Sequence, residues 1–293
     1  MTAAIYNEHF GFHERPFAMS PDADFLFWSE GHARAFSVLE YGVVNRALLT
    51  VITGEVGTGK TTLIQALLGD IEDNVTVGLI SNVHGGRGAL LRWVLNAFDR
   101  PASQDADYVT LFQQFQDFVL AEYAAGRHVL LIVDEAQNIE IDTLEELRLL
   151  TNVNSGKDDV LQIIMVGQPE LRTMLRLPEL RQLAQRVMAT YHLEPMTLET
   201  TVAYVTHRLR HAGGTGQEFT AEALRCIHDE AGGVPRMVNK LCDLALVYAV
   251  SAKEKRIELA TIKEITQDGL IFQSSHSVLA LSNPVINRRK AAE

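Results

Sequence analysis

The chain has 293 residues, 47% of them hydrophobic, which is ordinary for a packed protein and long enough for an α/β core with a smaller companion domain. Its 26 basic against 37 acidic residues give a formal charge of −11, a balance that repels nucleic-acid phosphates and anionic lipid unless basic side chains gather into a patch. The start, MTAAIYNEHFGFHERPF, lacks a basic-then-apolar signal pattern, and no window approaches the roughly 20 apolar residues that span a bilayer. A cytoplasmic protein is therefore expected, with any attachment at the inner membrane made through a partner.

The leading segment is punctuated by Phe10, Phe12, Pro16, Phe17, Pro21, Phe25, Phe27 and Trp28, with most of the aromatics expected to pack into a core, and it runs into a helical pattern from Glu30 to Asn45. Leu48–Thr53 is β-branched and aliphatic and reads as a strand, while Thr62–Leu68 carries apolar residues at helical spacing. Between them lies a glycine-rich loop: Gly54, Glu55, Val56, Gly57, Thr58, Gly59, Lys60, Thr61 and Thr62. Glycines let such a loop turn sharply and aim its N–H groups inward at phosphate oxygens. Lys60 would reach the β- and γ-phosphates and the Thr61 hydroxyl would bind Mg²⁺, so the loop, with its strand before and helix after, predicts a site for Mg·ATP.

Val75–Ser81 then reads as a strand, and Gly88–Phe98 and Tyr108–Ala124 as helices. Val129–Val133 is a continuous aliphatic run, the mark of a strand buried on both faces, and it ends in Asp134 and Glu135. Two carboxylates at that position divide the work: Asp134 would hold Mg²⁺ through a water ligand, and Glu135 would polarise the water that attacks the γ-phosphate. Ile141–Leu150 returns to helical spacing with Asp142, Glu145 and Glu146 expected to face water. Val160–Val166 and Met188–Leu193 complete the strands.

Strands alternating with helices imply a mostly parallel sheet covered on both faces. From about Thr197 the strand signals stop, and Glu199–His211, Thr220–Ala231, Val234–Val250 and Leu259–Gly269 read as four helices, the second capped by Thr220. The expected organisation is an α/β nucleotide-binding domain over 1–196, including a leading segment 1–46, then a helical lid over 197–270 and a flexible tail over 271–293. Cys226 and Cys242 fall in amphipathic helix and are expected to be buried thiols in a reducing compartment.

Phosphate loop, Asp-Glu pair and helical second domain together resemble an AAA+ ATPase. The leading stretch FGFHERPFAMSPDADFLFWSEGHARAFSVLEYGV, the loop GEVGTGKTT, the pair VDEAQNI, the strand end VGQPEL and the turn GGVPR narrow the resemblance to the ExeA/GspA-type secretion ATPases and their relatives in pilus and exopolysaccharide or exosortase loci. It runs from Tyr6 to Gly269. It implies an AAA+ parallel sheet sandwiched by helices and followed by an all-helical lid, hydrolysis of ATP in a homo-oligomer, and partners in envelope secretion or polysaccharide export.

By the same resemblance, Gln168 matches the first sensor, Arg236 the second sensor reaching from the lid to the phosphates, and Arg186 the finger that enters a neighbouring subunit's site. Arg181 is its rival and Arg172 a weaker one. Asn82 matches a position that holds the catalytic glutamate inactive in some AAA+ proteins, and Pro21 and His32 would border the adenine. The secretion proteins that name the family continue into a membrane span and a peptidoglycan-binding domain, so the expected comparison is a short soluble form.

Other readings separate by test. TniB/TnsC-type regulators of transposition share this core, but a DNA-dependent ATPase sits poorly with a charge of −11 and no dense basic helix. A small-molecule kinase would use the same loop without needing a lid sensor or a finger. His207 and His211 have the four-residue spacing of a metal pair without a third ligand, and with Arg208 and Arg210 read as a solvated face. Arg288, Arg289 and Lys290 read as a solvated terminus.

Overall fold

The computed structural model describes residues 5–19, 27–81, 88–102, 105–155 and 158–269; Pro21, Phe25, Asn82 and the whole expected tail lie outside the described residues. Helix α1 (Glu30–Val44) leads to strand β1 (Leu49–Gly54), helix α2 (Lys60–Asp70) and strand β2 (Val75–Ser81). Helices α3 (Ala89–Ala97) and α4 (Tyr108–Ala124) precede β3 (His128–Asp134), α5 (Ile141–Leu150), β4 (Leu161–Gly167), α6 (Pro169–Met174) and β5 (Val187–Leu193).

These strands form one five-stranded sheet in the order β2-β3-β4-β1-β5, and every pairing is parallel. The chain leaves β1 for one edge, returns through β3 and β4, and then crosses to the far side of β1. Ligand crevices in such sheets open at the carboxyl ends of the strands where the order reverses. Gly54, Asp134 and Gly167 are the last residues of β1, β3 and β4 and therefore share one rim.

The continuous aliphatic runs divide by the period of two that strand geometry imposes. Val129, Leu131 and Val133 join Ile163 and Met165 in a core covered by α3, α4 and α5. Leu130, Ile132, Ile164 and Val166 face the other way, onto Phe36 and Leu39 of α1 and Leu63, Ile64 and Leu67 of α2. Beside this core, the buried Glu122 carboxylate of α4 accepts from the Thr76 hydroxyl and from both Nε and Nη2 of Arg127. That guanidinium holds it well below the usual carboxylate range, at about 2.

Four helices follow: α7 (Leu198–His211), α8 (Ala221–Ala231), α9 (Pro235–Ala252) and α10 (Leu259–Gln267). Thr197 and Thr220 cap α7 and α8 by accepting from the N–H groups of Thr200 and Ala223, the second as expected. Among the described residues no helix is long and apolar enough to cross a membrane.

Several expectations change. The leading segment divides: α1 packs on the sheet, while Tyr6, Phe12 and Phe17 are buried in the helical core with Val205, Leu209 and Leu246. The Tyr6 hydroxyl and the Arg15 guanidinium both bond Asp243 of α9, which fastens that segment to the lid. Aromatic content told that these residues are buried but not in which core. Glu146 does not face water; it is 3% exposed and accepts from the N–H of Gly88 at the start of α3. Arg208 is not solvated but buried, donating to the Pro16 carbonyl and the Tyr204 hydroxyl. His207 packs on the Phe27 ring. Cys242 is buried, whereas Cys226 is half-buried, and both are free thiols.

Candidate functional site

The loop after β1 takes its shape from two backbone positions and one histidine. Gly57 and Gly59 have φ of +82° and +99°, a region that L side chains rarely adopt. Space demands glycine as well. A Cβ on Gly57 would lie 2.6 Å from the Cβ of Arg236 on the lid, and one on Gly59 would lie 2.8 Å from His32 Nε2. His32 Nε2–H donates to the Thr58 carbonyl at 2.9 Å, and because a carbonyl only accepts, the proton sits on Nε2 and Nδ1 takes the Ser29 hydroxyl at 2.7 Å. Burial pushes the His32 imidazole below its ordinary value against the opposing pull of the Thr58 bond. Ser29 caps α1 by accepting from the His32 N–H, so the cap of one helix braces the loop that starts the next.

Lys60 opens α2 with its side chain buried, and Nζ donates to the carbonyls of Gly54 at 2.7 Å and Glu55 at 2.9 Å. Desolvation lowers its affinity for the proton, and the carboxylates of Glu135, Asp134 and Glu55 counter it. Thr58, also buried, donates its hydroxyl to Glu55 O at 2.8 Å. Across the rim the Thr61 hydroxyl lies 3.5 Å from Asp134 Oδ2, while Asp134 Oδ1 accepts from the Glu135 N–H at 2.9 Å. Burial raises the Asp134 carboxyl.

Glu135 stands in the left-handed region, φ 53° and ψ 37°, at a cost of about 1–2 kcal/mol for a residue with a Cβ. Its Oε2 accepts from Gln137 Nε2 at 2.6 Å and from Gln168 Nε2 at 3.2 Å. Gln137 Oε1 in turn accepts from the Gln168 N–H at 2.9 Å. Gln168 therefore sits beside Glu135. Gln137 was not singled out in the sequence, although it lies within VDEAQNI, because its second partner, Gln168, follows a strand that only the sheet order makes a neighbour.

The lid closes over this rim. The Arg236 N–H donates to Gly57 O at 3.2 Å, and the Met196 N–H to Gly233 O at 2.9 Å. A cavity of about 360 Å³ lies between, lined by Val56, Gly57, Gly59, Lys60, Thr61, Thr62, Glu135 and Arg236, with His32, Phe27 and Met196. Tyr204 and Asn239 line it too, the tyrosine hydroxyl donating to Asn239 Oδ1 at 2.8 Å; neither emerged from the sequence, where α7 and α9 gave only apolar periodicity. Arg186 does not line this cavity: it donates to Arg148 O at 2.9 Å and to the Asn152 side chain, and is half-buried there. Arg181 is exposed.

The chemistry of these groups fits a nucleotide and its metal. Thr61 and Asp134 offer a hydroxyl and a carboxylate, hard oxygen donors side by side, as Mg²⁺ prefers. The glycine cradle would be filled by any Cβ, and the cavity has the size of small-molecule sites.

Comparison with known proteins bears on the family and the fold. Residues 44–175 match the family described as "AAA domain". Over 253 residues, 86% of this chain, the sequence is 41% identical to General secretion pathway protein A of Aeromonas hydrophila, of which it spans 46%, about half the length of that relative. Among solved structures, the Aeropyrum pernix ORC2 protein in its ADPNP–ADP complexes is similar with a TM-score of 0.62 at 17% identity, covering 88% of this chain and 72% of that one. CDC6P of Pyrobaculum aerophilum gives 0.66 at 14% identity, over 90% and 75%. At such identities these structures bear on the fold alone.

Proposed function

Because this chain has the AAA-type P-loop fold and is related to General secretion pathway protein A, we propose that it binds and hydrolyses Mg·ATP as a homo-oligomer. The ATPase would drive or regulate an envelope secretion, pilus or exopolysaccharide export assembly, acting in the cytoplasm or at the inner membrane through a partner. The observation that carries the reading is the convergence of Lys60, Thr61, Asp134 and Glu135 on one rim beneath the lid.

Each side chain then has a task. The N–H groups from Glu55 to Thr62 cradle the phosphates, and Lys60 exchanges its loop carbonyls for a phosphate oxygen. Mg²⁺, held by Thr61 and Asp134, would neutralise charge on the phosphates. Glu135 accepts a proton from the attacking water as its oxygen bonds to the γ-phosphorus and the bond to the β–γ bridging oxygen breaks, giving ADP and phosphate. Gln168 orients that water, and Arg236 makes lid position depend on the γ-phosphate. A neighbour's Arg186, or its rival Arg181, would spread charge over the transferring oxygens, an effect worth about 10³–10⁵ in rate where fingers act. Arg186 would first have to leave Arg148 and Asn152.

The test is an ATPase assay with size analysis on wild type, Lys60→Ala, Glu135→Gln and Arg186→Ala, each with and without duplex DNA. Lys60→Ala is expected to lose nucleotide binding, and Glu135→Gln to keep binding while turnover falls at least about 100-fold. Turnover untouched in Arg186→Ala would remove that finger assignment. Strong stimulation by DNA, lost between low and moderate salt, would favour the transposition-regulator reading instead.

A further inference from the structure

Gln137 has no part in the mechanism above, yet its amide touches both groups that the mechanism places around the attacking water. Its Nε2 donates to Glu135 Oε2 at 2.6 Å and its Oε1 accepts from the backbone N–H of Gln168 at 2.9 Å. The orientation of the amide is determined by that network. Turned over, it would set oxygen against a carboxylate and N–H against N–H.

Two further features shape the contact. The left-handed backbone at Glu135 opens the short helical turn Ala136–Asn138, which returns the side chain of residue 137 to that of residue 135. At the end of β4, a Cβ on Gly167 would lie 2.9 Å from Gln137 Oε1, so the missing side chain leaves room for the amide. With the Gln168 amide at 3.2 Å, Oε2 of Glu135 holds two N–H donors, while Oε1 takes no hydrogen bond among the described residues.

We infer that Gln137 is a positioning residue for the hydrolysis reaction: its amide, clamped between the Glu135 carboxylate and the Gln168 backbone, aims the free carboxylate oxygen and ties it to the end of β4. The inference rests on the reading of Glu135 as the base. A carboxylate that swings about its side-chain torsions spends little time in line with a water, whereas one fixed through Oε2 presents Oε1 to a single place. The clamp also makes the base follow any movement of the strand end that carries Gln168. The amide can do this because it supplies a donor on one side and an acceptor on the other.

The experiment measures ATPase kcat and KM and affinity for a non-hydrolysable ATP analogue in the full chain carrying Gln137→Ala or Gln137→Glu, with Glu135→Gln in parallel. Gln137→Ala is expected to lower kcat about 10- to 100-fold, the worth of one hydrogen bond to a charged group, with KM and analogue affinity within about twofold. Gln137→Glu keeps the size of the side chain but replaces the N–H donor to Glu135 with a second carboxylate, so it is expected to lower kcat at least as far as Gln137→Ala with analogue affinity again within about twofold. Wild-type turnover in Gln137→Ala while Glu135→Gln is inactive overturns the inference alone. Equal losses of kcat and nucleotide affinity in Gln137→Ala overturn it as well, since they mark a structural role. Turnover retained in Glu135→Gln removes the base reading and the inference together.

Discussion

Replacing Gly57 by alanine separates the backbone requirement of the loop from its contact with the lid. The φ of +82° costs an alanine about 1–2 kcal/mol in the folded state. The added Cβ also meets Arg236 Cβ at 2.6 Å, so the start of α9 must retreat by about 1 Å to reach ordinary contact, which in a fixed core costs about 1–3 kcal/mol. The lid need not unfold to yield; it can swing away, giving up the Arg236 N–H to Gly57 O bond. Apparent nucleotide affinity scales with the fraction of molecules whose lid is closed, so the same 1–3 kcal/mol becomes roughly a 5- to 150-fold rise in Kd. Gly126 supplies the control: its φ is +77° and a Cβ there meets nothing within 4 Å. Gly57→Ala and Gly126→Ala are thus expected to lower Tm by similar amounts, while only Gly57→Ala weakens titration with a fluorescent ATP analogue. Equal affinity in the two variants would refute the claim that the lid bears on the loop at this point.

Two pH experiments follow from buried groups. Glu122 has its carboxyl lowered from 4.5 to about 2, so its contribution to stability is full above 4.5 and is lost as pH falls from there towards 2. Glu122→Gln is expected to cost about 1–2 kcal/mol at neutral pH, discounted because the Arg127 partner is exposed, and to flatten urea stability across that acid window. His32 is lowered below 6.5 by burial, so the unfolded chain takes up a proton first as pH falls and stability declines below 6.5. His32→Gln puts an amide donor within reach of the Thr58 carbonyl and removes the titration. It should keep nucleotide affinity within a few-fold and lose that part of the decline, as denaturant melts at pH 5 and 7.5 would report; an unchanged slope would sink the assignment.

Much of this fold was legible because its signals are local. The continuous aliphatic run Val129–Val133, helical spacing in Tyr108–Ala124 and the cap at Thr220 each depend on residues close in sequence, and the elements begin and end within a residue or two of the expectation. The phosphate loop and the Asp134-Glu135 strand end were legible for the same reason: glycine at positive φ and carboxylates after an aliphatic strand are written into short stretches of chain. Glu146 misled because helical spacing alone put it on the water side, while the arrival of α3 at its carboxylate buried it.

By itself, then, the sequence determined the elements, the phosphate cradle and the alternation of strand and helix that makes a parallel sheet. Tertiary structure decided everything that depends on which distant segments become neighbours. Placing β4 beside β3 brings Gln168 to Gln137 and Glu135; folding the segment around Tyr6 onto α9 brings its hydroxyl to Asp243; closing the lid brings Arg236 onto Gly57. None of these pairs has a local signature, because a hydrogen bond or a close contact is set by distance in space, and the sheet order and domain docking that fix that distance are properties of the whole chain.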